Sequence, residues 1–149
     1  MNELDIMQKS ISSKTISVAK KIIIEIDNYI NQFNKADIFS FTRKENEEKK
    51  QSEAYYLFLL SISPMISEMI EQNAKLASLL INADKKMQIE LIIICEQKLD
   101  AFERFEQEFY SFTSSIEKAF SNNTSNSVFL VNTAQKFKNS INKLISENV

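Results

Sequence analysis

The sequence predicts an all-α fold, an antiparallel bundle of four or five helices that includes one long helix at about residues 85–120. Three observations carry this expectation. Apolar side chains recur three and four residues apart nearly everywhere and almost never alternate strictly, which is the periodicity of a helix with one buried face. The 149 residues contain no Gly and a single Pro, so the residues that build tight hairpins and positive-φ turns are missing. Hydrophobic residues make up 44% of the chain, which at this length lets one helical domain, residues 1–149, bury a core without disulfides or a structural metal.

In the first segment Leu4, Met7, Ile11, Val18, Ile22, Ile26, Ile30 and Phe33 trace one face. They predict a helix over residues 3–34, with Asn34 as C-terminal cap in place of Gly. Ser10, Ser12, Ser13, Thr15 and Ser17 compete for backbone hydrogen bonds and offer a later start near Ser13. Residues 35–41 form a connector that is apolar for a loop, carrying Ile38, Phe39 and Phe41. Thr42 followed by Glu45 matches the capping box, in which hydroxyl and carboxylate satisfy the orphan N–H groups of a helix start, so a second helix begins at Arg43. It runs through a charged, solvent-facing stretch to Tyr55, Phe58, Leu59 and Ile62 and reaches Ser63 and Pro64. Proline there either kinks one long helix or opens a new one with Ser63 as its N-cap. The second reading is preferred, and the new helix carries Met65, Ile66, Met69, Ile70, Ala74, Ala77, Leu80 and Ile81 and ends at Asn82.

Asp84 then caps the longest run. Ile92, Cys95, Leu99, Phe102, Phe105, Phe109, Phe112, Ile116 and Phe120 keep the three-four rhythm, flanked by Glu96, Lys98, Asp100, Glu103, Arg104, Glu106 and Glu108. At 1.5 Å per residue this helix is ~54 Å long, more than a neighbour of about 20 residues covers. Residues 121–127 are all polar and predict a mobile loop. A last helix carries Leu130, Ala134, Phe137, Ile141 and Leu144 on one face.

The same composition excludes several functions. With 18 basic against 20 acidic residues and a net charge of -2, the chain has no basic stripe to track phosphates, which disfavours a nucleic-acid partner. The start holds two acidic residues and no apolar signal core, and the longest uncharged stretch, residues 54–67, is too short to span a bilayer. A cytosolic location without a membrane partner is therefore expected, and a single Cys suits its reducing conditions. Without Gly, the phosphate-cradling loops of nucleotide-binding folds cannot form. Without His, the commonest metal ligand and general base are gone, so no catalytic, cofactor or metal site is expected. The carboxylates Glu96, Asp100, Glu103, Glu106 and Glu108 lack the His partners of a di-metal bundle site and read as a solvated face. Cys95 follows four consecutive apolar residues, 91–94, and reads as a small hydrophobe in a centrally buried segment with no basic group on its face.

Two features point to protein interaction. Phe102, Phe105, Phe109 and Phe112 are core by spacing, yet where the long helix outruns its neighbours they need covering by a second copy or by another protein. Ile38, Phe39 and Phe41 either seal one end of the bundle or anchor a partner. The sequence thus supports a non-catalytic protein-binding module that occludes a partner, in the manner of an inhibitor, immunity protein, antitoxin or phage anti-defence factor. The alternatives are a self-associating helical protein, most simply a two-fold dimer, and a carrier of an apolar ligand between helices. Ile, Lys and Asn supply 50 of the 149 residues, the bias of an AT-rich bacterial or phage genome.

Overall fold

A computed structural model describes residues 3–36, 44–84 and 88–149. Ile38, Phe39 and Phe41, and Thr42 of the capping box, lie outside the described residues. The described residues form four helices: α1 (Glu3–Ala36), α2 (Lys44–Ile81), α3 (Ile89–Ser121) and α4 (Ser127–Asn148).

Each helix is written in its spacing. On α2 the covered positions Gln51, Tyr55, Phe58, Ile62, Met65, Met69, Gln72, Leu76 and Leu79 alternate steps of four and three without interruption. On α3 Cys95, Lys98, Phe102, Phe105, Phe109, Phe112, Ile116 and Ala119 do the same, as do Leu130, Ala134, Phe137, Ile141, Leu144 and Asn148 on α4. A strict repeat of this kind keeps one seam facing its neighbours when helices cross at about 20°, the packing of left-handed bundles. On α1, Val18, Ile22 and Ile26 follow one another at two successive steps of four, which unwinds the seam locally.

The segments on either side of Pro64 are one helix, so the bundle has four helices and not five. The four-three register passes through Pro64 unbroken, and the ring itself faces solvent. Proline removes only its own N–H bond, to the carbonyl of Leu60, and on an outer face water replaces it. Likewise α1 starts at Glu3 and does not wait for Ser13. Within its Ser/Thr cluster Thr15 turns its hydroxyl onto the helix, Oγ1 donating to the Ile11 carbonyl at 2.8 Å.

Consecutive helices run antiparallel, and α1 closes the ring against α4. Tyr29 stacks on Phe58 at 4.7 Å, Asn73 of α2 donates to Glu106 of α3 at 3.3 Å, Phe112 stacks on Phe137 at 5.1 Å, and Lys138 pairs with Asp27 at 2.7 Å. The α3–α4 connection shows how a turn is made without glycine. Asn123 takes φ 55, where Asn is the best substitute for Gly, while Asn122 and Thr124 donate their N–H groups to the carbonyls of Lys118 and Ala119. Asn126 then caps α4 by accepting from the Phe129 N–H at 2.9 Å.

The helices have 34, 38, 33 and 22 residues. The expectation of one long helix beside shorter ones is thus replaced by three long helices and one short. Lys138 beside Asp27 and Glu147 beside Arg104, 3.9 Å away, bring the last turn of α4 level with Val18 on α1 and Ala101 on α3. Beyond that level the bundle continues on three helices.

Candidate protein-interaction surface

The placement of α4 settles where the Phe stripe of α3 goes. Phe102, Phe105 and Phe112 are buried within the chain's own core and Phe109 is packed against it. Phe137 of α4 lies 5.9 Å from Phe105, 5.6 Å from Phe109 and 5.1 Å from Phe112. α4 covers the distal half of α3, and the half left without a fourth helix is the proximal one. No second copy is needed to shield these rings.

The proximal half of α3 also departs from the expected central burial of residues 91–95. Cys95 is fully buried, but Ile89, Ile93 and Ile94 are exposed, at 58%, 48% and 39%. With only two neighbours, a helix that is apolar all round leaves one side in water. Across from it on α2, Ile81 is 80% exposed. Leu80 and Ile81 form with Ile89, Ile92, Ile93 and Glu96 a groove of about 490 Å³.

This groove is one end of a longer seam. The Asn73–Glu106 hydrogen bond marks the edges by which α2 and α3 face each other. Counting at about 100° per residue from those two positions puts Tyr56, Ile70 and Ile81 within about 100° of the α3-facing edge of α2, while Leu60 falls on the outer face. The same count puts Ile89 and Tyr110 within about 100° of the α2-facing edge of α3, and Ile93, further round, joins them by lining the groove. All six seam residues are exposed. The helix pair α2 and α3 is also the least extensively packed of the neighbouring pairs, so these residues border an open furrow. Among the described residues, only Ile24, Leu57, Leu60 and Val128 of the exposed apolar residues in the helix interiors stand well away from it and from the three-helix end. The signal for these residues was present in the sequence, because they are large apolar side chains in excess of the four-three positions that already build the core.

The charged residues along the seam have one sign. Within about 100° of these edges the α2 side from Tyr56 to Ile81 is uncharged, while α3 brings Glu96, Glu103, Glu106 and Glu117. Among the described residues none of these four is in an ion pair; Glu106 accepts from Asn73.

Inside the three-helix end the core itself turns polar. Lys98, expected among the solvated flanks, occupies a core position and is 7% exposed. Its ammonium donates to Gln8 Oε1 at 2.5 Å and to Ser12 Oγ at 2.8 Å. Burial pulls the Lys98 ammonium below its ordinary pKa, with Cys95 and Asp5 opposing and Lys9 adding to the shift. Cys95 therefore does have a basic group on its face, one turn away. Burial nonetheless pushes its thiol above the ordinary range, Lys98 opposing, so it is held in the unreactive form. Lys98 fills with a long, hydrogen-bonded side chain the place from which a fourth helix is missing.

Glu96, Asp100, Glu103 and Glu106 are exposed and Glu108 half-buried. Among the described residues no group of three His, Cys, Asp or Glu side chains could hold a metal ion, and no helix is long and apolar enough to cross a membrane. Compared with protein-family models, with curated proteins and with solved structures, the chain matches none of them. The fold and this surface are thus what a functional reading has to build on.

Proposed function

We propose that the protein is a non-catalytic, cytosolic protein-binding module that acts by occluding a protein partner, which it seats on the α2/α3 seam. The observation that carries this reading is the set of exposed apolar side chains along that seam, Tyr56, Ile70 and Ile81 on one wall and Tyr110, Ile93 and Ile89 on the other. Exposed apolar side chains grouped along one seam and interleaved with charged ones are the ordinary signature of a protein contact. Occlusion suits a bundle whose core is filled by its own rings, because such a body covers a surface without doing chemistry on it.

The test places a photo-crosslinking side chain at Tyr110, and separately at Ile24 on the opposite face of the bundle, in the host cell. We expect a discrete adduct with a foreign protein from position 110 and none from position 24. Adducts joining two copies of the chain favour the dimer reading instead. Equal labelling from both positions, or none from either, removes the seam as the working surface.

A further inference from the structure

We propose that what occupies the seam is an amphipathic helix of the partner protein whose apolar stripe is bordered by Lys or Arg. This rests on the reading of the seam as the working surface and adds to it the shape and charge of what binds there.

Shape comes first. The seam lies between two antiparallel helices, and a third helix laid into such a furrow packs by the same ridge-and-groove rules as the bundle itself. From Ile81 to Tyr56 it offers about seven turns, ~38 Å at 1.5 Å per residue. The apolar side chains stand on both walls, so a single apolar stripe at i, i+3, i+4 and i+7 meets them along its length.

Charge then selects among helices. Glu96, Glu103 and Glu106 recur on the α3 edge at steps that bring them to one side, and the α2 edge carries no charge to balance them. An occupant with basic borders supplies the missing sign and keeps the carboxylates paired when water is excluded from them. A second copy of the chain brings the same glutamates and, among the described residues, no exposed Lys or Arg within about 100° of its own seam edges. It would bury unpaired carboxylates on both sides. Phosphate backbones and anionic lipid surfaces meet the same negative edge and are repelled by it.

The test uses two fluorescent synthetic peptides of about 20 residues, both helical with Leu at the stripe positions, one bordered by Lys and the other by Glu. Binding to the full chain is read by anisotropy, and the helicity of each variant by circular dichroism. We expect saturable binding of the Lys-bordered peptide, at least about tenfold tighter than its Glu-bordered counterpart and weakened about tenfold in the triple variant Glu96→Gln, Glu103→Gln, Glu106→Gln, as a few surface ion pairs allow. Binding should be lost in Ile70→Glu with Ile93→Glu. Equal binding of the two peptides overturns the basic helix while leaving the apolar seam standing. No binding by either peptide, or binding that survives Ile70→Glu with Ile93→Glu, takes the seam away altogether. A dimer in light scattering that this double variant dissolves assigns the seam to a second copy and overturns the proposal.

Discussion

The two ends of this bundle are built on different chemistry. Where all four helices are present, the core is aromatic: Tyr29, Phe33, Tyr55, Phe58, Phe102, Phe105, Phe112 and Phe137 are buried there, and ring contacts join Tyr29 to Phe33 and Phe58, Tyr55 and Phe58 to Phe112, and Phe105 and Phe112 to Phe137. Beyond the last turn of α4 the buried side chains include Leu4, Gln8, Ile11, Ser12, Thr15, Gln72, Leu76, Cys95 and Lys98, and large isoleucines stand in water around them. A ring of four helices encloses enough space to need rings to fill it. Three helices enclose less, and each has an open flank where polar side chains and exposed isoleucine both occur. The difference teaches that one helix's length distributes stability to one end and available surface to the other.

The largest effect is expected at the aromatic end. Phe137 touches three rings of α3, and Phe137→Ala should cost about 3–5 kcal/mol in denaturant unfolding. A loss below about 1 kcal/mol would mean that α4 contributes little to this end and would break the contrast.

A smaller gain is expected from the same core. The hydroxyls of Tyr29 and Tyr55 are buried with no hydrogen-bond partner among the described residues. Tyr29→Phe deletes one of them without altering the ring and should raise stability by about 1 kcal/mol. Burial, reinforced by Tyr55, also holds the Tyr29 hydroxyl well above its ordinary value of 10. As pH rises past 10 the unfolded chain loses this proton while the folded chain keeps it, so stability falls. Alkaline melts of Tyr29→Phe should therefore fall less steeply than those of the parent chain.

At the three-helix end the sign is opposite. The Lys98 pKa is lowered below 10.5 by folding, so between its folded value and 10.5 the unfolded chain holds a proton that the folded chain has shed, and stability rises with pH in that window. Lys98→Met should remove this rise, leaving a flatter profile in melts taken across it. An unchanged profile would mean that Lys98 reaches solvent and that the polar core at this end is hydrated.

Much of this architecture was legible in the chain. The helix at residues 3–34, the last helix on Leu130, Ala134, Phe137, Ile141 and Leu144, and the core membership of Phe102, Phe105 and Phe112 all follow from spacing alone. Pro64 misled because a proline is a local stop signal, whereas the four-three register that overrides it extends over the whole of α2. Lys98 misled for a related reason. It sits three residues after Cys95 and four before Phe102, squarely in the repeat, but its charge reads as solvent exposure when each residue is taken by itself.

The sequence by itself determined that the protein is helical, which side chains share a face on each helix, and that the chemistry of phosphate loops and histidine sites is absent. Those properties depend on backbone preference and on a period of 3.6, both local. Only the tertiary structure decided which faces are covered. Burial depends on where neighbouring helices begin and end, and it was the stopping point of α4 that enclosed the phenylalanines of α3, left its isoleucines in water and placed Lys98 where a fourth helix would have packed.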